Sequence, residues 1–171
     1  MIDPTYRLAA MRPSVRVGAR FPAGKGGSVM SKTLDLPRAK DSLEKVESIL
    51  GNQAFGEEWR DKYAGYVESL PATILNCGLG QATATLLAAA KKSDGSFNKD
   101  AHYLLYKHLQ SWLCQDIDNA PYNSSKNLME AIVASDRSTY LHAQAEALKW
   151  LEWHKKLAVA YLKKKKAGDP A

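Results

Sequence analysis

Residues 136–162 read DRSTYLHAQAEALKWLEWHKKLAVAYL, and this stretch decides the fold. Tyr140, Ala143, Ala147, Trp150, His154, Leu157 and Tyr161 recur at steps of three and four. That spacing lays one continuous apolar stripe along a helix. Asp136 stands just before it, where a carboxylate can accept a hydrogen bond from the first-turn N–H groups. A stripe this long has to be covered by other helices. The remaining sequence supplies them.

From Leu36 onward the pattern stays helical. Pro37 suits a first helical position, and Leu43, Val46, Ile49 and Leu50 form the stripe that Gly51 ends. A second helix opens near Glu57, with Trp59, Tyr63, Tyr66, Leu70, Ile74 and Cys77 on one face. Pro71 predicts a kink or break inside it. Gly78 predicts its end, as a left-handed cap. Gln81–Lys92 reads as an alanine-rich third helix. After the turn Ser93-Asp94-Gly95-Ser96, Lys99 or Asp100 opens a fourth, with Ala101, Leu105, His108, Leu109 and Trp112 inward. Ser124 or Ser125 is expected to cap a short fifth helix bearing Leu128, Met129, Ile132 and Val133. No stretch alternates as a strand does. The reading is an all-α bundle of about six helices with a long C-terminal helix.

The 171-residue chain carries a net charge of +6, and its distribution matters more than its sum. Residues 1–35 hold a net +4 and residues 163–171 a net +3, while residues 36–162 sum to −1. Three segments follow: a leader or non-native extension over 1–35, a helical domain over 36–162, and a basic tail over 163–171. The leader has three prolines, four glycines and no apolar periodicity, so it reads as disordered, with Met30 as the expected true start. The body offers nucleic acid no general attraction, and contact with RNA would have to come from local arrangement. No apolar run approaches the ~18 residues that a membrane helix needs.

Tests for chemistry come back empty. The histidines His102, His108, His142 and His154 lack metal-ligand spacing, and His108 and His154 sit on inner faces as core histidines. Asp116-Ile117-Asp118 is a weak magnesium pattern at a helix end. Cys77 and Cys114 fall in apolar helical patterns and read as buried, reduced thiols. Neither catalytic residues, a metal nor a cofactor is expected. What remains is surface. Tyr103, Tyr106, Lys107 and Gln110 share the face opposite the fourth helix's stripe, where aromatic and basic groups suit stacking and phosphate contact. They equally suit packing on a neighbouring helix. Trp153 lies on the flank of the last helix beside Glu146, Lys149 and Lys156, as an edge cover or a partner anchor.

Three stretches also carry a resemblance. Leu70-Pro71-Ala72-Thr73-Ile74-Leu75-Asn76-Cys77-Gly78-Leu79-Gly80-Gln81 resembles a signature of the small subunit of type III-B (Cmr) CRISPR effector complexes. Tyr103–Leu109 through Trp112-Leu113 resembles that family's central helix. Ser135-Asp136-Arg137, Tyr140 and Glu146–Trp153 resemble its C-terminal helix. The likeness runs over roughly residues 37–162. It implies a non-catalytic cytoplasmic subunit of an antiviral defence ribonucleoprotein, stacked in copies along the crRNA–target RNA duplex. The implied partners are the large subunit, the backbone subunit and further copies of the chain. The candidates for RNA contact are Lys91, Lys92, Lys99 and Lys107 around one turn, and Lys149, Lys155 and Lys156 on the last helix. Tyr103, Tyr106 and Trp153 are the candidate protein-interface residues. A helical adaptor without direct RNA contact is the alternative, which the near-neutral body favours; a helical nuclease is a more remote one.

A chain beginning at Met30 is expected to melt at the same temperature as the full chain. Residues 1–29 contain nothing to offset an ordering cost of about 1–2 kcal/mol per residue. A drop of several degrees in a thermal melt overturns this.

Overall fold

The computed structural model describes residues 34–91, 95–97, 100–117 and 119–164. The described residues form five helices and no strand. These are α1 (Asp35–Gly51), α2 (Glu57–Ala90), α3 (Ala101–Leu113), α4 (Leu128–Ala134) and α5 (Arg137–Leu162). α2 packs on α5 and on α3, α5 packs on α1, and α4 rests on α2. The core they enclose is built from Val46, Ile49, Tyr63, Ile74, Leu105, Leu109 and Trp150, among others.

The expected second and third helices are the two arms of α2. Their junction is Gly78, the one residue inside α2 with non-helical dihedrals, at φ 83° and ψ 162°. Helical geometry runs through Pro71, so the break falls seven residues beyond the proline. Gly78 is also not the left-handed cap that its position suggested. It occupies an extended mirror-image region that is essentially reserved for glycine. The reason lies across the bundle on α5. Leu79 N–H donates to Gln144 Oε1 at 3.1 Å, and Gly80 N–H donates to Tyr140 Oη at 3.2 Å. Two N–H groups that open the second arm, and have no partner within it, are thus satisfied by side chains from another helix. A Cβ at Gly78 would lie 2.7 Å from Tyr140 Oη. The close approach and the positive φ both require glycine here.

Caps set the other boundaries. α1 starts two residues ahead of Pro37, which takes the third position, still within the turn whose N–H groups lack helical acceptors. Asp100 accepts from His102 and Tyr103 N–H, and Asp136 accepts from Thr139 N–H at 2.8 Å, as their positions predicted. α4 is capped by Asn127, not by Ser124 or Ser125. Its Oδ1 accepts from Met129 and Glu130 N–H while its amide donates to Glu130 Oε1. Ser124 instead takes a positive φ of 58° and donates to Asp116 Oδ1.

Three inward expectations fail: Cys77, Val133 and Tyr161 are exposed. Cys77 lies one residue before the Gly78 break, and Val133 lies in the last turn of the short α4. At such ends no helix remains beyond to cover the stripe. Of the leader expected over residues 1–35, residues 1–33 lie outside the described residues, as do Asp118 and tail residues 165–171, while Asp35 opens α1. Lys163 and Lys164, expected at the start of a free tail, pair with Glu68 and Glu57 of α2. The Lys164 N–H also donates to Asp61 Oδ1.

Gly78→Ala is expected to cost about 2–3 kcal/mol in urea denaturation, from backbone strain and displacement of Tyr140. Gly65→Ala in the same helix, with nothing within 4 Å of the new methyl, is expected to be neutral or stabilising by up to about 1 kcal/mol. Equal effects at the two positions would remove the role assigned to Gly78.

Candidate functional site

The first surface lies where the end of α2, α3 and the approach to α4 converge. Leu87, Phe97, Tyr103, Lys107, Lys126 and Met129 line a groove of about 310 Å³. Phe97 and Tyr103 stack with ring centroids 4.9 Å apart and an interplanar angle of 18°. Tyr106 continues the series at 6.3 Å from Tyr103 and the same angle. Tyr103 keeps a partly exposed ring, whereas Tyr106 is only 4% exposed and belongs to the core. Burial raises the Tyr106 phenol above its ordinary value. Its hydroxyl donates to Asn127 Oδ1 at 3.4 Å. Tyr106 is therefore not on a solvent face: its hydroxyl is tied to Asn127, the cap of α4. Gln110 Nε2 donates to the Lys126 carbonyl, closing the far end. Lys91 is exposed at the C-cap of α2, four residues past Leu87. Lys92 and Lys99 lie outside the described residues.

The second surface is almost wholly apolar. Leu36, Pro37, Ala39 and Leu43 of α1 face Trp153 and Leu157 of α5 across a groove of about 610 Å³. Leu36 is 75% exposed. The Trp153 indole N–H donates to Asp35 Oδ1 at 3.0 Å, which fixes the ring along the groove wall. Lys156 Nζ sits 6.0 Å from the ring. Lys149, Lys155 and Lys156 are all exposed on α5. Lys149 and Lys156 are four residues before and three after Trp153, so they share its side of the helix.

Beneath these surfaces lies a polar interior that charge patterning did not reveal. Glu146, read as a neighbour of Trp153 on the flank, is 6% exposed. Arg38 Nε and Nη2 donate to its two oxygens at 2.8 and 2.6 Å, and Trp112 Nε1 donates to Oε1 at 3.0 Å. Burial alone pushes the Glu146 carboxyl up. The Arg38 hydrogen bonds and charge, with Trp112, carry it net below its ordinary value. Trp150 Nε1 donates to Asp41 Oδ2 at 2.7 Å. Asp35, Arg38 and Asp41, each three residues apart on α1, thus engage Trp153, Glu146 and Trp150 of α5. Spacing of three among residues 35, 38 and 41 was the available signal, but charges at helical spacing read equally as a solvated face.

Deeper still, Tyr63 Oη stands 2.7 Å from both His108 Nδ1 and His154 Nε2. One hydroxyl proton serves both contacts, so Tyr63 donates to one imidazole and accepts from the other. His154 lies in the interior that its inner-face position predicted, and His108 turns inward with one edge partly exposed. Burial, then the nearby Lys45 ammonium, lowers His108 to about 3. Burial, then the charges of His108 and Lys45, puts His154 well below its ordinary value. Burial also raises Tyr63 well above its own. The cluster is neutral at ordinary pH.

Both cysteines are free. Cys77 is exposed, and Cys114 is half-buried with its thiol pushed up by burial to about 11. Among the described residues no three His, Cys, Asp or Glu side chains converge to hold a metal, and no helix is long and apolar enough to cross a membrane. Among the described residues the all-helical body carries two grooves, one apolar and one aromatic and basic. Residues 34–161 match the family described as CRISPR-associated protein (Cas_Cmr5). The chain belongs to that family, consistent with the small Cmr subunit that its three motifs resemble.

The buried histidines set a pH dependence. Their folded pKa values lie below those of the unfolded chain, so acid protonates the unfolded state first, and stability falls as pH drops below about 6.5. For His108 the fall continues to about 3. Each histidine contributes a slope of up to about 1.4 kcal/mol per pH unit, and the pair a loss of about 4 kcal/mol between pH 7 and 5. The partly exposed edge of His108 makes its half an upper figure. Urea denaturation at the two pH values measures this, and His108→Gln should remove about half of the slope. A flat dependence overturns the neutral cluster.

Proposed function

We propose that this chain is a non-catalytic structural subunit of an RNA-guided type III-B ribonucleoprotein, placed in several copies along the guide–target RNA duplex. The observation that carries this reading is the apolar α1–α5 groove. Among the described residues nothing covers Leu36 or the Trp153 wall, which is how a surface destined for another protein looks. The family to which the chain belongs supplies the setting. In that setting the groove takes a neighbouring copy or the large subunit. The exposed lysines Lys91, Lys149, Lys155 and Lys156, with the half-buried Lys107, face RNA phosphates, and the complex works in the cytoplasm of a prokaryotic cell in antiviral defence. The body's net charge of −1 makes RNA contact by one copy feeble. Copies arrayed on one duplex add their contacts through effective concentration, so a feeble single site suffices.

The test is reconstitution of the complex with Trp153→Ala and, separately, Leu36→Glu, followed by native mass spectrometry. Leu36 is exposed, so its replacement leaves the core intact and separates docking from folding. Either change should lower occupancy of the small-subunit positions by about 30-fold in apparent affinity, the effect of losing an interface anchor of ~2 kcal/mol. Circular dichroism should show unchanged helix content. Full assembly by both variants would overturn the groove as a docking surface.

A further inference from the structure

We infer that the Phe97–Tyr103 groove is a stacking site for a single unpaired nucleotide of RNA, with its phosphates held by Lys107 and Lys126. The inference rests on the RNA-associated reading above and adds the form of RNA that this surface selects. The two rings lie within 18° of parallel at 4.9 Å and Tyr106 follows behind Tyr103 at the same angle, so they form a flat ladder to which a base adds one further plane on the Phe97 side. A double helix cannot use such a ladder. Its base faces are already buried in its own stack, and it offers a protein its backbone and groove edges alone. The aromatic wall thus selects a base that has left the stack or was never paired. The volume, about 310 Å³, suits one nucleotide rather than an extended strand.

Charge and hydrogen bonding point the same way. Lysines are the charged residues of the lining, and no carboxylate is among them. Asn127, which also borders the groove, spends its carbonyl oxygen on the N–H groups that open α4 and its amide on Glu130. Gln110 spends its amide on the Lys126 carbonyl. Few groups remain to read a base edge, so recognition rests on stacking and charge and tolerates any sequence, as single-strand sites generally do. Tyr106 also borders the groove but is only 4% exposed, so it backs Tyr103 rather than meeting the base.

The probes are a 12-nucleotide single-stranded RNA carrying one 2-aminopurine and a blunt duplex of the same sequence, each titrated with the full chain. Binding of the single strand should quench the 2-aminopurine, and the duplex should bind more weakly without quenching. Tyr103→Ala and Phe97→Ala should each weaken single-strand binding by about 10-fold, whereas Tyr103→Phe should stay within about twofold. Lys107→Gln and Lys126→Gln should each lower the slope of log affinity against log salt by about 0.7, and Tyr103→Ala should leave that slope unchanged. The inference is overturned if Tyr103→Ala and Phe97→Ala both bind as the unaltered chain does. Absence of quenching, or equal retention of the duplex, overturns it as well. These readouts use the isolated chain, so they are independent of assembly. Loss of stacking with normal assembly sinks this inference alone, and failed assembly with intact stacking sinks the broader reading alone.

Discussion

The structure depends first on a buried charge. Glu146 lies in the interior because Arg38 meets both of its oxygens and Trp112 supplies a third donor. Those three side chains come from α5, α1 and α3, so one carboxylate fixes the relative register of three helices. Removing a carboxylate and a guanidinium from water carries a large desolvation cost, and only near-ideal geometry with every remaining lone pair engaged offsets it. The arrangement therefore contributes less to net stability than to specificity. A slip of one turn between α1 and α5 would leave Arg38 and Glu146 buried and unpaired. The indole bonds of Trp150 to Asp41 and Trp153 to Asp35 repeat the same register on either side.

The second constraint is the Gly78 junction. Two helical arms meet there at a backbone conformation that only glycine adopts without strain, and side chains from α5 satisfy the N–H groups of Leu79 and Gly80. α5 therefore serves α2 as a cap and α1 as a register guide. The surfaces follow from this. The register of α1 against α5 leaves Leu36 and Trp153 facing each other across open space. The packing of α4 on α2 lets its cap border the aromatic groove. Tyr63, His108 and His154 form a neutral hydrogen-bonded set beneath these surfaces, which makes the interior sensitive to acid.

The main helices were legible because their apolar stripes are long. Tyr63, Leu105, Leu109, Ala143, Ala147, Trp150 and His154 all turn inward as their spacing predicts. The stripes failed at the end of the first arm of α2 and at the end of α5, where Cys77 and Tyr161 are exposed. Periodicity tells which face is apolar but not where the covering helix stops. The aromatic groove was half legible. Tyr103 and Lys107 border it, but Tyr106 on the same turn is buried at its back, and Lys126, from the loop before α4, had no signal to join them.

By itself the sequence determined the helical class, the inner faces, the caps at Asp100 and Asp136, and the family likeness that residues 34–161 bear out. These depend on neighbours three or four positions apart, or on motif order, and such relations are written along the chain. Only the tertiary structure decided that Arg38 and Glu146 are buried partners 108 residues apart. It alone decided that α2 runs unbroken through Pro71, that Gly78 is held extended by side chains of α5 rather than as a left-handed cap, and which aromatic rings border open grooves. A charged residue at helical spacing looks the same whether water or an opposite charge awaits it. The free energy that chooses between them belongs to the partner, and folding alone supplies the partner.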